Sequence, residues 1–180
     1  MLYTTEEMEN RAILDAAARI CAAARTAPKT RGMDGLVTCV LTGEDKDRLA
    51  AQMRKLAAEL DYPFFARDAD NVDASGAVVL FGMHEVRRGL GAGCQYCHHA
   101  DCAECAEKDG LCAWDAVDLG IAIGSAAASA ADSRVDSRVM FSVGRSAMSL
   151  GLPMQDATLV LGVPVSISGK SPYFDRKPKK

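Results

Sequence analysis

The chain has 180 residues, 49% of them apolar and 25% charged, with a net charge of −3. That length can bury a core without staples, and the composition excludes a disordered chain or a coiled coil. The slightly acidic balance gives no basic field for nucleic acid, and no apolar run approaches a membrane span. The start, MLYTTEEMENR, is acidic where a secretory signal would be basic, so a cytoplasmic, reducing setting is expected.

Thr4 or Thr5 can cap a first helix that opens with Glu6, Glu7 and Glu9 and closes before Pro28. Ile13, Ala16, Ala17, Ile20 and Ala24 form its buried stripe. The following break, RTAPKTRGMDG, carries Arg25, Lys29 and Arg31. LVTCVLT, residues 36–42, reads as a strand covered on both faces. A second helix runs from Thr42 or Gly43 through Leu60, with Leu49, Met53, Leu56 and Leu60 inward. Residues 63–75 read as a connection with at most a single turn, pinned by Phe64 and Phe65, and AVVLFGM, 77–83, as a second buried strand.

After the cysteine-rich stretch comes a Gly/Ala/Ser-rich helix over about 115–131, whose small residues permit close backbone approach. DSRVD interrupts; Asp132 and Asp136 near Arg134 and Arg138 suggest a salt-bridged bend. A helix from about 136 to 150 follows, with Val139, Val143, Ala147 and Leu150 on one side, and then a strand over 158–166, where Pro164 favours an edge or an end. The tail, SGKSPYFDRK, carries Lys170 and Arg176. With no repeat and no dividing linker, a single domain over 1–180 is expected.

Five of the seven cysteines lie between Gly89 and Trp114, spaced C-x2-C-x4-C-x2-C-x6-C: Cys94, Cys97, Cys102, Cys105 and Cys112. In a reducing compartment such a cluster reads as a metal site. Two C-x2-C knuckles this close together strain a zinc site and suit a loop wrapping a larger inorganic cluster. Cys94, Cys97, Cys102 and Cys112 make one continuous wrap; Cys97, Cys102, Cys105 and Cys112 start like a plant-type C-x4-C-x2-C run. His98 and His99 read as solvent-facing loop residues. Gly89, Gly91 and Gly93 relax the backbone ahead of the first thiol.

The segments RTAPKTRGMDGL, FFARDADNV, CQYCHHADC, CAWDAVDLGIAIGSA, RVDSRVMFSVGRSA and SGKSPYFDRK resemble a family of ferredoxin-domain-containing proteins found mainly in anaerobic bacteria and archaea. Its pattern is close to C-G-x-C-G-x-x-x-C with a later Cys before an aromatic residue. Cys94, Cys97, Cys102 and Cys112 match it, His98 stands where the second glycine falls, and Cys105 lies outside it. The resemblance implies a [4Fe–4S] cluster on those four thiols. A more distant similarity, to flavin-dependent nitroreductases, implies an α+β sheet packed with helices, here with an inserted cysteine-rich loop at 89–114. It also implies a homodimer and FMN, with Arg25, Lys29 and Arg31 near the flavin and Lys170 and Arg176 at its phosphate. Arg11 stands alone in the opening segment, where nitroreductases usually carry two arginines around a serine.

The functional expectation is an iron–sulfur redox protein exchanging electrons with a flavin or a partner reductase. The alternatives are a zinc-stapled module and an FMN-dependent, nitroreductase-like oxidoreductase. No nucleic-acid or membrane partner is expected.

Overall fold

The computed structural model describes residues 1–154 and 156–174. Helix α1, Thr5–Thr26, begins with a reciprocal cap: the Glu7 amide donates to the Thr4 hydroxyl, and the Thr4 amide donates to the Glu7 carboxylate. The Thr4 amide, and after it the Thr4 hydroxyl, which also donates to this carboxylate, hold the Glu7 carboxyl below its usual range. All five stripe residues are buried.

Four strands form one antiparallel sheet: β1 (Leu36–Leu41), β2 (Ala77–Met83), β3 (Asp136–Ser137) and β4 (Leu159–Ser166), in the order β1-β2-β4-β3. Every residue of β2 is buried. Its side chains alternate between two cores, as the period of a strand demands. Val79, Phe81 and Met83 face α1 and α5 (Ala113–Asp132), while Val78 and Leu80 face α2 (Gly43–Glu59) and α3 (Pro63–Asp73) together with α6 (Phe141–Ala147). β1 is an edge strand and its middle four residues are only half-buried, not covered on both faces.

α1 lies against α5 through alanines on both helices, Ala16, Ala17 and Ala24 with Ala122, Ala126 and Ala130. The Ser125 hydroxyl donates to the Ala23 carbonyl across this seam. α6 approaches β4 as closely, because Gly144 sits over the β4 backbone: a Cβ there would lie 1.9 Å from the Val160 carbonyl oxygen. Pro164 falls between the Ser137–Val165 pair and the Met140–Gly162 bridge, where it has no ladder bond to interrupt.

Four expectations need correction. Residues 63–73 are a full helix, α3, with Pro63 in the first turn, where its missing amide costs nothing. Phe65 is buried there but Phe64 is exposed. Leu60 lies past the end of α2 and is 42% exposed. The segment from Asp136 does not start a helix: Asp136 and Ser137 pair with β4, Val139 is exposed, and α6 begins only at Phe141. Among the described residues no ion pair joins Asp132, Arg134, Asp136 and Arg138; Arg138 instead donates to the Tyr173 carbonyl and covers the Phe174 ring.

Candidate metal centre

The chain leaves β2 at Met83 and enters α5 at Ala113, and the cysteine loop fills the interval. A single 3-10 turn spans Gly91–Gly93, and a short helix, α4, spans Cys102–Glu107. Cys94 follows the turn, and its amide donates to the Gly91 carbonyl. The residues after the first two cysteines, Gln95 and His98, both adopt left-handed backbone, with φ of 55° and 62°. This curls the C-x2-C segment back on itself, with the His98 amide donating to the Gln95 carbonyl at 3.0 Å. It also supplies the physical reason for glycine at those positions in the C-G-x-C-G pattern.

Cys102 opens α4, whose cap is Asp101: its carboxylate accepts from the Ala103 and Glu104 amides, each at 2.9 Å. Cys112 is the N-cap of α5.

These turns bring Cys94, Cys97, Cys102 and Cys112 to the wall of one narrow cavity of about 20 Å3. His99 lines it too and is half-buried, in contrast to the solvent-facing position expected for it; His98 is exposed. The Trp114 indole N–H donates to the Cys94 sulfur at 3.2 Å, and Tyr96 stacks on the Trp114 ring at 5.4 Å. Among the described residues no three His, Cys, Asp or Glu side chains converge on a point that would hold a single ion.

Cys105 behaves differently. It is 2% exposed, and its thiol donates to the Gly110 carbonyl at 3.2 Å. Burial pushes that thiol up, Cys97 beside it adds to the rise, and the Arg87 guanidinium opposes it. Cys105 also lines a second cavity of about 20 Å3, shared with Arg87, Cys97, Cys102 and Cys112.

Beneath the loop lies a group of charges that composition and spacing did not reveal. Arg88 is 1% exposed and meets two buried carboxylates, Asp115 at 3.0 Å and Asp118 at 2.6 Å. Asp115 also accepts from the Val86 amide, and Asp118 accepts from both the amide and the hydroxyl of Thr30. Arg31 closes the circuit by donating to the Arg88 carbonyl. Burial raises the Asp115 carboxyl, the Val86 amide and Arg88 oppose that rise, and Glu85 and Asp118 reinforce it. The cysteine loop, the first turn of α5 and the Thr30 turn are thereby one ionic unit. Its trace in the sequence is two aspartates three apart in an otherwise apolar helix, and a paired arginine just after a strand.

The five cations expected near a flavin are placed as follows. Arg25 pairs with Asp34 at 2.6 Å on the surface. The Lys29 ammonium donates to the carbonyls of Ala24, Arg25 and Ala27 and so closes the C-terminus of α1. Arg31 holds the Arg88 carbonyl, as above. Lys170 follows β4, its carbonyl accepting from the Ser168 hydroxyl. Arg176 lies outside the described residues. A flavin phosphate would have to compete with protein partners for Arg25, Lys29 and Arg31. A broader groove of about 580 Å3 opens between the start of α5, α6 and β4, walled by Leu119, Phe141, Arg145, Met148 and Leu161.

The profile of a family described as an uncharacterised protein containing a ferredoxin domain matches residues 108–176. An uncharacterised protein of Archaeoglobus fulgidus is 39% identical over the full length of both chains. The chain belongs to this ferredoxin-domain family. Its fold is the nitroreductase fold. It superposes on nitroreductase CinD from Lactococcus lactis in complex with nicotinic acid with a TM-score of 0.62, at 13% identity, over 94% of this chain and 81% of that one. For the FMN-dependent nitroreductase NfnB from Mycobacterium smegmatis, in complex with NADPH, the values are 0.59, 12%, 87% and 78%. The hypothetical oxidoreductase YcnD from Bacillus subtilis gives 0.56 at 14% identity, and this ferredoxin-domain chain, matched over 87% of its own length, spans 58% of it. Among the described residues no helix is long and apolar enough to cross a membrane.

Proposed function

We propose that the chain is an iron–sulfur redox protein in which Cys94, Cys97, Cys102 and Cys112 hold one [4Fe–4S] cluster. The observation that carries this reading is the shared cavity: the four thiols of the continuous wrap line it and Cys105 does not, its thiol meeting the Gly110 carbonyl instead. A bound cluster supplies one-electron steps that a flavin or partner reductase can give or take. The residues around it have distinct tasks. The Trp114 N–H draws charge from the Cys94 sulfur, which favours the reduced state. The Tyr96–Trp114 stack covers one side of the cavity from water. The Arg88–Asp115–Asp118 unit fixes the loop on α5, and hence the thiols of Cys94 and Cys112 relative to each other.

A second reading, FMN-dependent oxidoreductase chemistry in a homodimer, is supported by the fold and by the apolar groove beside α6. The exposed small-residue face of α5, with Val117, Gly120, Ile121 and Gly124, is the surface offered to a second copy.

Protein purified without oxygen tests these readings on one sample. Brown protein with stoichiometric iron and acid-labile sulfide is expected. Cys94→Ser should lose the colour and Cys105→Ser should keep it. A colourless protein with one zinc and no sulfide would sink the cluster and leave a zinc-stapled module. FMN released on denaturation, from a species sedimenting as a dimer, would establish the second reading beside the first.

A further inference from the structure

Arg87 stands at the back of the cysteine loop. One side of its guanidinium pairs with Glu85, but Nη1 is buried and has no hydrogen-bond partner. A buried cationic N–H without an acceptor carries the full desolvation cost of that group, so native structures rarely leave one empty-handed. Arg87 lines a small space of about 20 Å3 whose other walls are Cys97, Cys102, Cys105 and Cys112. Three of those thiols are ligands in the reading above, and this inference rests on it. The guanidinium also interacts with the Cys105 thiol, and the further sulfur within its reach is that of the metal site.

We propose that Arg87 sets the reduction potential of the bound cluster, with Nη1–H donating to sulfur on its inner face. Reduction adds one electron and no proton, so it makes an anionic centre more negative. A fixed cation beside that centre stabilises the reduced form and raises the potential. Glu85 sets how much of that charge is felt. Because it pairs with the outer side of the same guanidinium, it partly cancels the field and holds the fork in place. Arg87 is thus a positioning residue for charge, not a ligand, and its lysine and glutamine variants separate the two roles.

The experiment is a spectroelectrochemical titration of anaerobically purified wild-type, Arg87→Gln, Arg87→Lys and Glu85→Gln proteins. Iron and sulfide are counted first, and EPR of the reduced state serves as the second readout. In Arg87→Gln the reduced-to-oxidised ratio at a fixed poise should fall about tenfold, a negative shift of about 59 mV for a one-electron couple. Arg87→Lys should stay close to wild type, and Glu85→Gln should move the opposite way. Full iron content with an unchanged potential in Arg87→Gln would overturn the proposal. If that variant loses its cluster, an unmoved potential in Glu85→Gln overturns it, and a positive shift there supports it. Wild-type protein without iron and sulfide would instead remove the cluster reading itself.

Discussion

Between β2 and α5 the chain changes what holds it together. Along β2 all seven side chains are buried and shared between two apolar cores, and each fully buried valine, leucine or phenylalanine contributes about 1.5–3 kcal/mol. From His84 to Cys112 there is no comparable apolar layer. That interval is shaped by left-handed residues, helix caps and the ion unit around Arg88. The sheet and its helices are specified by periodic burial, which tolerates small errors. The loop is specified by single atoms that must each find a partner, which makes it precise and expensive to disturb.

The difference can be broken most severely at Arg88. Arg88→Ala leaves Asp115 and Asp118 buried without their cation, and the expected loss is about 3–5 kcal/mol in denaturant unfolding of the metal-free protein. The pH dependence has a definite sign. The folded Asp115 carboxyl is raised, so its contribution to stability is fully present below the ordinary carboxylate range and is lost as pH rises through the raised value. The deficit of the variant should therefore shrink on acidification. A loss under about 1 kcal/mol at neutral pH would mean that water reaches the two carboxylates and that the loop is not held as described.

In the scaffold the corresponding weak point is steric. Gly144→Ala drives a methyl into the Val160 carbonyl, and prising α6 from β4 should cost about 1–3 kcal/mol without altering iron content. Retained stability with a reduced cluster yield would reverse the proposed division between the two regions.

The smallest change sharpens the comparison in the favourable direction. His98→Gly relieves a left-handed backbone at no loss of a buried contact and should stabilise the protein by about 1 kcal/mol. Thermal unfolding of the two forms, both loaded with metal, measures it. A destabilised glycine variant would show that the His98 side chain does something for the loop that its exposure conceals.

The same contrast explains what was legible in the sequence. The α1 stripe and β2 were legible residue by residue, because burial of an apolar periodic segment leaves its period in the chain. Helix α3 was hidden by its polar composition. Asp68 looks like a surface residue, yet it is buried and accepts from Arg67 and the Ser142 hydroxyl. The start of α6 was misplaced because Asp136 and Ser137 are claimed by β4, a long-range pairing that local propensity cannot contain. At the site, thiol spacing pointed to the loop and left two sets of four cysteines open, and the family resemblance chose Cys94, Cys97, Cys102 and Cys112, which line one cavity. Arg87, Arg88, Asp115 and Asp118 were not legible. A charge carries no mark of its burial, and their partners arrive from across the fold.

The N-cap and first two turns of α5 carry Cys112, Trp114, Asp115 and Asp118, while the remainder of that helix is locked to α1 through the alanine seam. A disturbance at the thiols is therefore passed to one end of a core helix and not to a detachable flap. If the proposed cluster is bound there, its loss would reach a helix start that Arg88 and the alanine seam still hold, so the metal-free chain should keep its fold and resist proteolysis at that point.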